Sequence, residues 1–293
     1  MGVRHHRGAP AHADPGAILR IAVLLQAGVA PIDAWRYLAE TGDAAAAAVA
    51  TRLAAGDDVP TAIGTVPGWH DVAAAWRIAE TVGAPLADSL RGIATALEDA
   101  ARSRDEVRVA LAEPAGTARL MSWLPLVAVL LGVALGFDTL RTLTTNLMGI
   151  ACAAGGVGLI FAARAWNGRL VRVADPDAAV PGLGADLVAI ALTGGASLER
   201  ATRLVAEAGA GEPDDETRGI LALSRSAGVP AAELLRAAAT LARHRARTEG
   251  RMRAARLSSK LLVPLGVCTL PAFLLLGVAP MLLSVLSTTP LSL

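Results

Sequence analysis

Three long apolar stretches interrupt a chain whose other segments mix polar and apolar residues at helical spacing. Leu120–Phe137 is a run of eighteen residues without a formal charge, and Thr142–Ala163 is a run of twenty-two. The third stretch, Leu261–Leu293, carries no charge at all. Because a bilayer core takes about 20 helical residues, the first two predict a transmembrane helical hairpin around the connector Asp138–Arg141. The third predicts a final span.

Outside these stretches, apolar residues recur every three or four positions, which predicts amphipathic helices. Ile18, Ile21 and Leu25 form one such stripe, which stops at Gly28. Glycine and proline punctuate the later helices in the same way, and no segment alternates as a strand does. The predicted fold class is an all-α integral membrane protein, with two cytoplasmic antiparallel helical bundles and three transmembrane helices.

We predict seven segments along the chain. They are a disordered basic tail (1–17), a first bundle (18–119), the transmembrane hairpin (120–164), a linker (165–184), a second bundle (185–256), the third transmembrane helix (257–287) and an external tail (288–293).

The two predicted bundles form an internal repeat. Gly28, Ala34, Ala39 and Glu40 match Gly195, Ala201, Ala206 and Glu207 at an offset of 167 residues. Gly83, Pro85, Leu90 and Arg91 match Gly228, Pro230, Leu235 and Arg236 at an offset of 145. The offsets differ by 22 residues, so the second copy is predicted to lack the alanine-rich helix and the short helix of the first. Chance similarity between alanine-rich helices is the alternative.

Composition supports a membrane protein and excludes some partners. Of the 293 residues, 54% are hydrophobic, and the mean hydropathy of +0.49 is too high for an ordinary soluble domain. Aromatic residues make up 3% of the chain, which argues against a nucleic-acid binder that works by base stacking. Cys152 and Cys268 both fall inside predicted spans, where we expect them to pack as small apolar residues. The polar start of the chain does not resemble a secretory signal.

The distribution of arginine predicts the topology. Arginines cluster before the first span, after the second and before the third, whereas the connector has Arg141 opposed by Asp138. By the positive-inside rule, both bundles and the N-terminus are cytoplasmic and the C-terminus is external. The predicted location is the bacterial cytoplasmic (inner) membrane, with several passes through it.

Sequence motifs for catalysis are missing. A phosphate-binding loop needs a lysine after glycine, and the single lysine, Lys260, follows Ser259. We therefore predict a protein that is not an enzyme, with no catalytic, cofactor-binding or metal site. The acidic loop 212–216 could hold a cation, but acids near the start of a helix are the favoured interpretation, since the loop lacks the ligand spacing of a calcium loop.

Two sets of residues are candidates for contacts at the membrane. Arg243, Arg247 and Arg251 are four residues apart and share a helical face, which suits anionic lipid headgroups; topology alone is the alternative. The glycines Gly132, Gly136, Gly155 and Gly156 allow close approach of helices in lipid. That approach serves either packing within the chain, or contact with another copy or with pilin.

The order of segments and several motifs resemble a known family. The motifs are Leu-Leu-Gln-Ala-Gly28, Gly83-Ala-Pro-Leu-Ala-Asp-Ser-Leu90 with its copy Gly228-Val-Pro-Ala-Ala-Glu-Leu-Leu235, Arg119-Leu-Met-Ser-Trp-Leu-Pro125, and the last span from Pro264 to Phe273. Together they resemble the F-domain proteins of type II secretion and type IV pilus systems, specifically the TadB/TadC branch of tight-adherence (Flp) pili. The resemblance covers roughly residues 18–287.

This resemblance implies an inner-membrane platform protein that couples a cytoplasmic ATPase to pilin assembly or protein export. The implied partners are a secretion or pilus ATPase, a pilin or pseudopilin, a paralogous F-domain protein or another copy of the chain, and membrane lipids, but no nucleic acid. Because the second bundle is short, partner contacts of its missing helices cannot be transferred. The alternatives are a component of a small-solute transporter, which the uncharged span cores disfavour, and a membrane-anchored scaffold.

Overall fold

The computed structural model describes residues 13–134, 147–174, 180–279 and 282. In these ranges all regular structure is helical, which confirms the predicted all-α class. The chain divides into two compact units. Unit 1 consists of Met1–Ser103 and Ala178–Thr248, and unit 2 consists of Arg104–Asp177 and Glu249–Leu293.

The first repeat contains six helices. They are α1 (Pro15–Gln26), α2 (Pro31–Glu40), α3 (Ala44–Ala54), α4 (Val59–Gly64), α5 (His70–Val82) and α6 (Leu86–Ala134). The side chains of Asp14 and Asp43 cap α1 and α3 by accepting hydrogen bonds from first-turn N–H groups. Pro31 stands in the first turn of α2, where the missing N–H costs no helical hydrogen bond.

Three tryptophans fill the core of the first repeat. The Trp35 ring lies edge-on to Trp69 at 5.6 Å between centroids, and its centroid is 6.1 Å from that of Trp76. Ile18 and Ile21 of α1 close the same core, and both are 1% exposed, as the apolar stripe of this helix predicts.

The remaining helices begin with α7 (Leu147–Ala174). The second repeat contains α8 (Leu183–Thr193), α9 (Leu198–Val205), α10 (Asp215–Ala227) and α11 (Ala231–Pro264). A π-type turn, Ala206–Ala210, follows α9, and the helical geometry ends inside it at Gly209, where φ is 86°. After α11 come a π turn (Leu265–Thr269), α12 (Leu270–Phe273) and a second π turn (Leu274–Val278).

The glycines that defined the repeat lie at equivalent helix ends. Gly28 and Gly195 both have a φ of 86°, and Gly83 and Gly228 have φ values of 72° and 66°. These left-handed conformations strain any residue with a Cβ. The helices α5 and α10 are both 13 residues long, and the short link between Gly209 and α10 stands where the first repeat has α3 and α4. The described structure thus has the shorter second copy that the two offsets predict.

The two repeats share one core within unit 1. The helix α8 is buried along most of its length, with Leu187 and Ala191 fully covered. It packs against α9 of its own repeat and against α5 of the first repeat. An added Cβ at Gly194 would collide with Val82 of α5, so the backbones approach closely there. The sequence predicted two bundles, and the structure joins their described residues in a single hydrophobic cluster.

Unit 2 contains the described parts of the predicted spans. The segment Leu147–Arg169 of α7 is long and apolar enough to cross a membrane, and it is the one such helix among the described residues. It packs against α12 and the two π turns beside it. The π turn Leu265–Thr269 ends two residues before Pro271, which has no N–H to donate to the carbonyl oxygen four residues earlier. The connector of the predicted hairpin lies outside the described residues, and α7 continues ten residues beyond Arg164, into the predicted linker.

Candidate functional site at the junction of the repeats

A cleft of about 410 Å³ lies in unit 1 where α6, α8 and α11 meet. Pro85 and the first turns of α6, as far as Thr95, line one wall, and α8 and α11 line the others. Charged side chains and hydroxyl groups alternate with apolar ones along the walls. The charged members are Asp88, Asp186, Arg236 and Arg243.

Inside this cleft, a buried ion pair joins α8 and α11, the first and last helices of the second repeat. Arg243 Nη1 donates to Asp186 Oδ2 at 2.7 Å, and the two side chains are 12% and 13% exposed. Arg243 Nε also lies 3.5 Å from Asp99 Oδ2 of α6, close enough for an ion pair but not for a good hydrogen bond. One guanidinium therefore links α11 to α8 and to the first repeat.

Burial shapes the electrostatics of this pair. Desolvation raises the pKa of Asp186 above its usual 3.8, and the charge and hydrogen bond of Arg243 oppose that rise. The carboxylate therefore depends on Arg243 for its ionised state. A buried ion pair of this kind contributes little net stability, because the cost of desolvating both charges offsets their attraction, but removal of one partner alone is strongly destabilising.

A second arginine contact occurs at equivalent positions in both repeats. In the first repeat, Arg91 pairs with Asp88 at 2.9 Å and donates a hydrogen bond to Gln26 at the end of α1. In the second, Arg236 pairs with Glu233 at 2.7 Å and donates to Thr193 Oγ1, at the end of α8, at 2.8 Å. Thr193 is 167 residues after Gln26, and Arg236 is 145 after Arg91. In each repeat, an arginine of the last helix thus donates a hydrogen bond to a side chain at the end of the first helix.

The hydroxyl groups of the cleft are all engaged by their own helices. Ser89, Thr95, Thr193 and Thr240 each donate to the carbonyl oxygen four residues earlier, at 2.8–3.0 Å. The described lining thus presents no activated nucleophile next to a base. Its hydroxyl groups thus lie along the walls of the cleft with hydrogen bonds to their own helices.

The predicted arginine stripe is divided between the two units. Arg243 faces carboxylates inside unit 1, as described above. In unit 2, Arg251 Nε donates to Glu106 Oε2 at 2.8 Å, with the arginine side chain 59% exposed. Arg247 is half-buried and has an interaction of its own. The four-residue spacing predicts that the three arginines lie on one helix, and all three lie on α11. The spacing does not show that Arg243 has acidic partners on other helices. Contact with lipid stays a prediction.

The predicted packing glycines fall partly within the described structure. An added Cβ at Gly156 would lie 2.5 Å from Leu276 Cγ, and one at Gly155 would lie 3.5 Å from Leu275. These glycines thus face the stretch after α11, within the same chain. Gly132 is in α6, but its surroundings lie outside the description, and Gly136 is beyond the described residues. Cys152 and Cys268 are free thiols, half-buried and buried.

The acidic loop serves the start of α10. Asp214 caps this helix by accepting from Thr217 N at 2.8 Å, and hydrogen bonding to Thr217 lowers the pKa of that carboxyl. Glu216 pairs with Arg245 at 3.2 Å. No cluster of three His, Cys, Asp or Glu side chains suited to a metal ion occurs among the described residues. These contacts agree with the helix-start interpretation of the loop.

One protein-family model matches the chain, over the helices of the first repeat. Residues 17–134 match the family model of the type II secretion system (T2SS), protein F. This match supports the T2SS F-domain family. The matched range runs from α1 to the last residue of α6, and the F domain therefore coincides with the first structural repeat and the helix that leaves it. No curated protein matches the chain.

The match covers residues 17–134 of the 293 and suggests a general function. T2SS F-domain proteins are inner-membrane platform proteins of type II secretion and type IV pilus machines. The apolar helix Leu147–Arg169 is consistent with a membrane location.

Proposed function

We propose that this chain is the inner-membrane platform of a tight-adherence (Flp) pilus or related secretion machine, of the TadB/TadC branch. In this role it couples a cytoplasmic ATPase to the assembly of pilin subunits or to protein export, without catalysis of its own. The observation that carries the proposal is that the F domain, residues 17–134, ends in one unbroken helix.

That helix gives a physical route for coupling. α6 is 49 residues long and runs from the core of unit 1 into unit 2, and α11 makes the same passage from the second repeat. A continuous helix connects the two ranges, so we propose that a displacement of its base is passed along the helix, with bending at Pro114 and Pro125, which lack the N–H of the helical hydrogen-bond ladder. The contacts of Arg91, Arg236 and Arg243 attach these two helices to α1 and α8.

The proposed topology has three spans, with the N-terminus and both repeats in the cytoplasm and the C-terminus outside. Positive charges beside the apolar stretches support it. Reporter fusions at residue 140 and at the C-terminus should be external, and a fusion at residue 210 should be internal. A cytoplasmic reporter at the C-terminus would contradict the three-span topology.

Cross-linking in native membranes tests the role directly. Because Lys260 is the single lysine of the chain, a carboxylate-directed cross-linker is the suitable reagent, and purification of the full chain then identifies the partners. We expect a secretion ATPase attached to acidic residues of unit 1, and pilin attached near the spans. Recovery of no ATPase, together with normal pili in a deletion strain, would contradict the proposal and favour a transporter or scaffold.

A further inference from the structure

The first helices of the two repeats differ in how completely they are buried. Ile190 of α8 is 7% exposed, whereas Val23, the equivalent residue of α1, is 57% exposed. Leu187 is fully buried, whereas its equivalent, Arg20, is exposed. The difference arises because α8 is covered on one side by α5 of the first repeat. The corresponding side of α1, with Leu19, Val23 and Ala27, faces solvent in the described structure and is called the open α1 face.

The second repeat shows the opposite difference at the helices that correspond to α5 and α6. Ile78 of α5 is 1% exposed, and its equivalent, Leu223 of α10, is 53% exposed. Ala96 of α6 is fully buried, and its equivalent, Leu241 of α11, is 44% exposed. Val229, which is 39% exposed, corresponds to the buried Ala84. Leu223, Val229 and Leu241 form the open second-repeat face.

These differences show that the contact between the repeats is heterologous. It joins one surface of the second repeat to a different surface of the first, and each repeat keeps open the surface that its twin has used. The large apolar side chains exposed on unit 1 follow this rule: of those described, Ile32 and Tyr37 alone lie outside the two open faces. Exposed apolar patches of this kind usually mark an interaction site.

We propose that two copies of this chain associate head to tail, with the open α1 face of one copy docked on the open second-repeat face of the next. The contact between chains thereby repeats the contact between repeats. It leaves one open face at each end of the pair, so further copies add in the same way until the rotation closes a ring. The proposal concerns self-association and does not depend on the identity of the ATPase or pilin.

Two small residues stand at the positions equivalent to the closest point of the contact. Within the chain, Gly194 meets Val82, with no room for a Cβ on the glycine. Between chains, the same positions are held by Ala27 of the open α1 face and Ala227 at the end of α10, and both are exposed. The valine Cγ2, which is the nearest obstacle to a Cβ at Gly194, is absent at Ala227, and the Cβ of Ala27 has to move back from the backbone oxygen that lies at 2.8 Å in the contact within the chain.

The polar contact is complementary. Within the chain, Arg243 of the second repeat faces Asp99 of the first. The equivalent positions are held by Glu98, which would come from the docking copy, and by His244 of the open second-repeat side. A carboxylate again meets a basic side chain. In the contact between chains, the position equivalent to Arg243 holds the acid Glu98, and the position equivalent to Asp99 holds the base His244.

Cysteine cross-linking in native membranes tests the geometry. In a chain with Cys152→Ala and Cys268→Ala, differently tagged copies carry Ala27→Cys or Ala227→Cys. We expect a disulfide-linked dimer when the two variants are expressed together, and none from either variant alone. Ala48→Cys is the matched control, because Ala48 is exposed on α3, which has no equivalent in the second repeat.

The alternative outcomes are distinct. No dimer from the mixed copies, or an equally strong dimer from Ala27→Cys alone, overturns the proposal. Capture of a different protein by Ala27→Cys, with no link to this chain, also overturns it and indicates a paralogous F-domain partner at this face.

Native mass spectrometry of the full chain in detergent provides the second measurement. We expect Val23→Asp and Leu223→Asp each to weaken self-association about tenfold or more, since buried apolar anchors dominate such contacts. Ile32→Asp is the control, because Ile32 is 59% exposed but its equivalent, Glu199, is exposed as well. A chain that stays monomeric at all concentrations, or equal effects of Val23→Asp and Ile32→Asp, contradicts the proposal.

Discussion

Glu106 and Arg251 form an ion pair at 2.8 Å, and they hold equivalent positions of the two repeats, 145 residues apart. The pair joins α6 to α11 within unit 2. An interaction between equivalent positions places an acid and a base where an exact duplication would place two identical charges. Because the repeats differ at this position, a glutamate of α6 faces an arginine of α11, and the two charges attract each other where identical charges would repel.

Charge exchange at this pair tests its contribution to stability. Glu106→Arg should lower the free energy of unfolding, because it brings two cations together, by about 1 kcal/mol given that Arg251 is more than half exposed. The double variant Glu106→Arg with Arg251→Glu should recover most of that loss. Thermal unfolding of the full chain in detergent measures both, and no recovery in the double variant would show that the pair contributes nothing.

Loss of Arg243 should be more costly than loss of other arginines. Arg243→Gln leaves the buried Asp186 without its main partner, at a cost of about 3–5 kcal/mol. Arg236→Gln is the matched control. That arginine is 45% exposed and its pair with Glu233 is at the surface, so the expected cost is below about 1 kcal/mol. Equal effects of the two substitutions would contradict the assignment of Arg243 as the central link.

The penalty at Arg243 should depend on pH. Burial raises the pKa of Asp186 from 3.8, so this group favours the fold most below that value, and its contribution is lost as pH rises through the raised pKa. Without Arg243 the pKa rises further, and the cost of Arg243→Gln should shrink on acidification as Asp186 takes up a proton. Adding Asp186→Asn should remove this dependence, which unfolding curves at several pH values will show.

Two glycines of the second repeat should respond with opposite signs to alanine. Gly228 ends α10 with a φ of 66°, so Gly228→Ala should destabilise the protein by about 1–2 kcal/mol. Gly219 lies inside the same helix with no atom within 4 Å of an added Cβ, so Gly219→Ala should stabilise by about 0.5–1 kcal/mol. Chemical denaturation measures the pair, and a loss at both positions would refute the argument from helix ends.

Gly156 should tolerate no side chain. Gly156→Ala places a Cβ 2.5 Å from Leu276 Cγ, and the strain should separate α7 from the stretch after α11, at a cost of about 1–3 kcal/mol. Gly158→Ala, in the same helix with open space around it, is the control. Greater protease sensitivity of Gly156→Ala in membranes is the expected result. Identical digestion of the two variants would exclude this packing.

Anionic lipid should bind through the arginines of α11, of which Arg251 is exposed and Arg247 is half-buried. Arg247→Gln with Arg251→Gln should lower retention of anionic lipid, each residue contributing about 1 kcal/mol near the surface. Arg225→Gln, an exposed arginine at the end of α10 in unit 1, is the control. Lipid adducts counted by native mass spectrometry decide the question, and equal retention in all variants would leave topology as the explanation of the arginine cluster.

Local features of the fold were predictable from the sequence, but long-range contacts were not. Gly28, Gly83, Gly195 and Gly228 could be placed at helix ends because glycine is favoured where φ is positive, and such preferences are encoded over a few residues. The missing helices of the second repeat followed from the two offsets. The apolar length of the three runs predicts a membrane location, and the described helix Leu147–Arg169 is consistent with it.

The candidate site depends on contacts that no local pattern contains. Asp186 and Arg243 are 57 residues apart in sequence, and the arginine spacing alone suggested a lipid-facing stripe. Likewise, the closeness of Gly194 to Val82 results from packing between repeats, which the pattern within each repeat does not specify. The apolar run around Leu187 was the available signal, since a helix that is apolar on every side must be covered on every side.

The division of unit 1 in sequence governs the order in which the protein can be made. Residues 104–177, which include the predicted hairpin, separate its two parts, Met1–Ser103 and Ala178–Thr248. During synthesis the face of α5 that receives α8 therefore stays uncovered until residues 104–177 and α8 itself have left the ribosome. Completion of the core thus waits for a long intervening segment, and a nascent chain that stops before α8 exposes this face to chaperones and proteases.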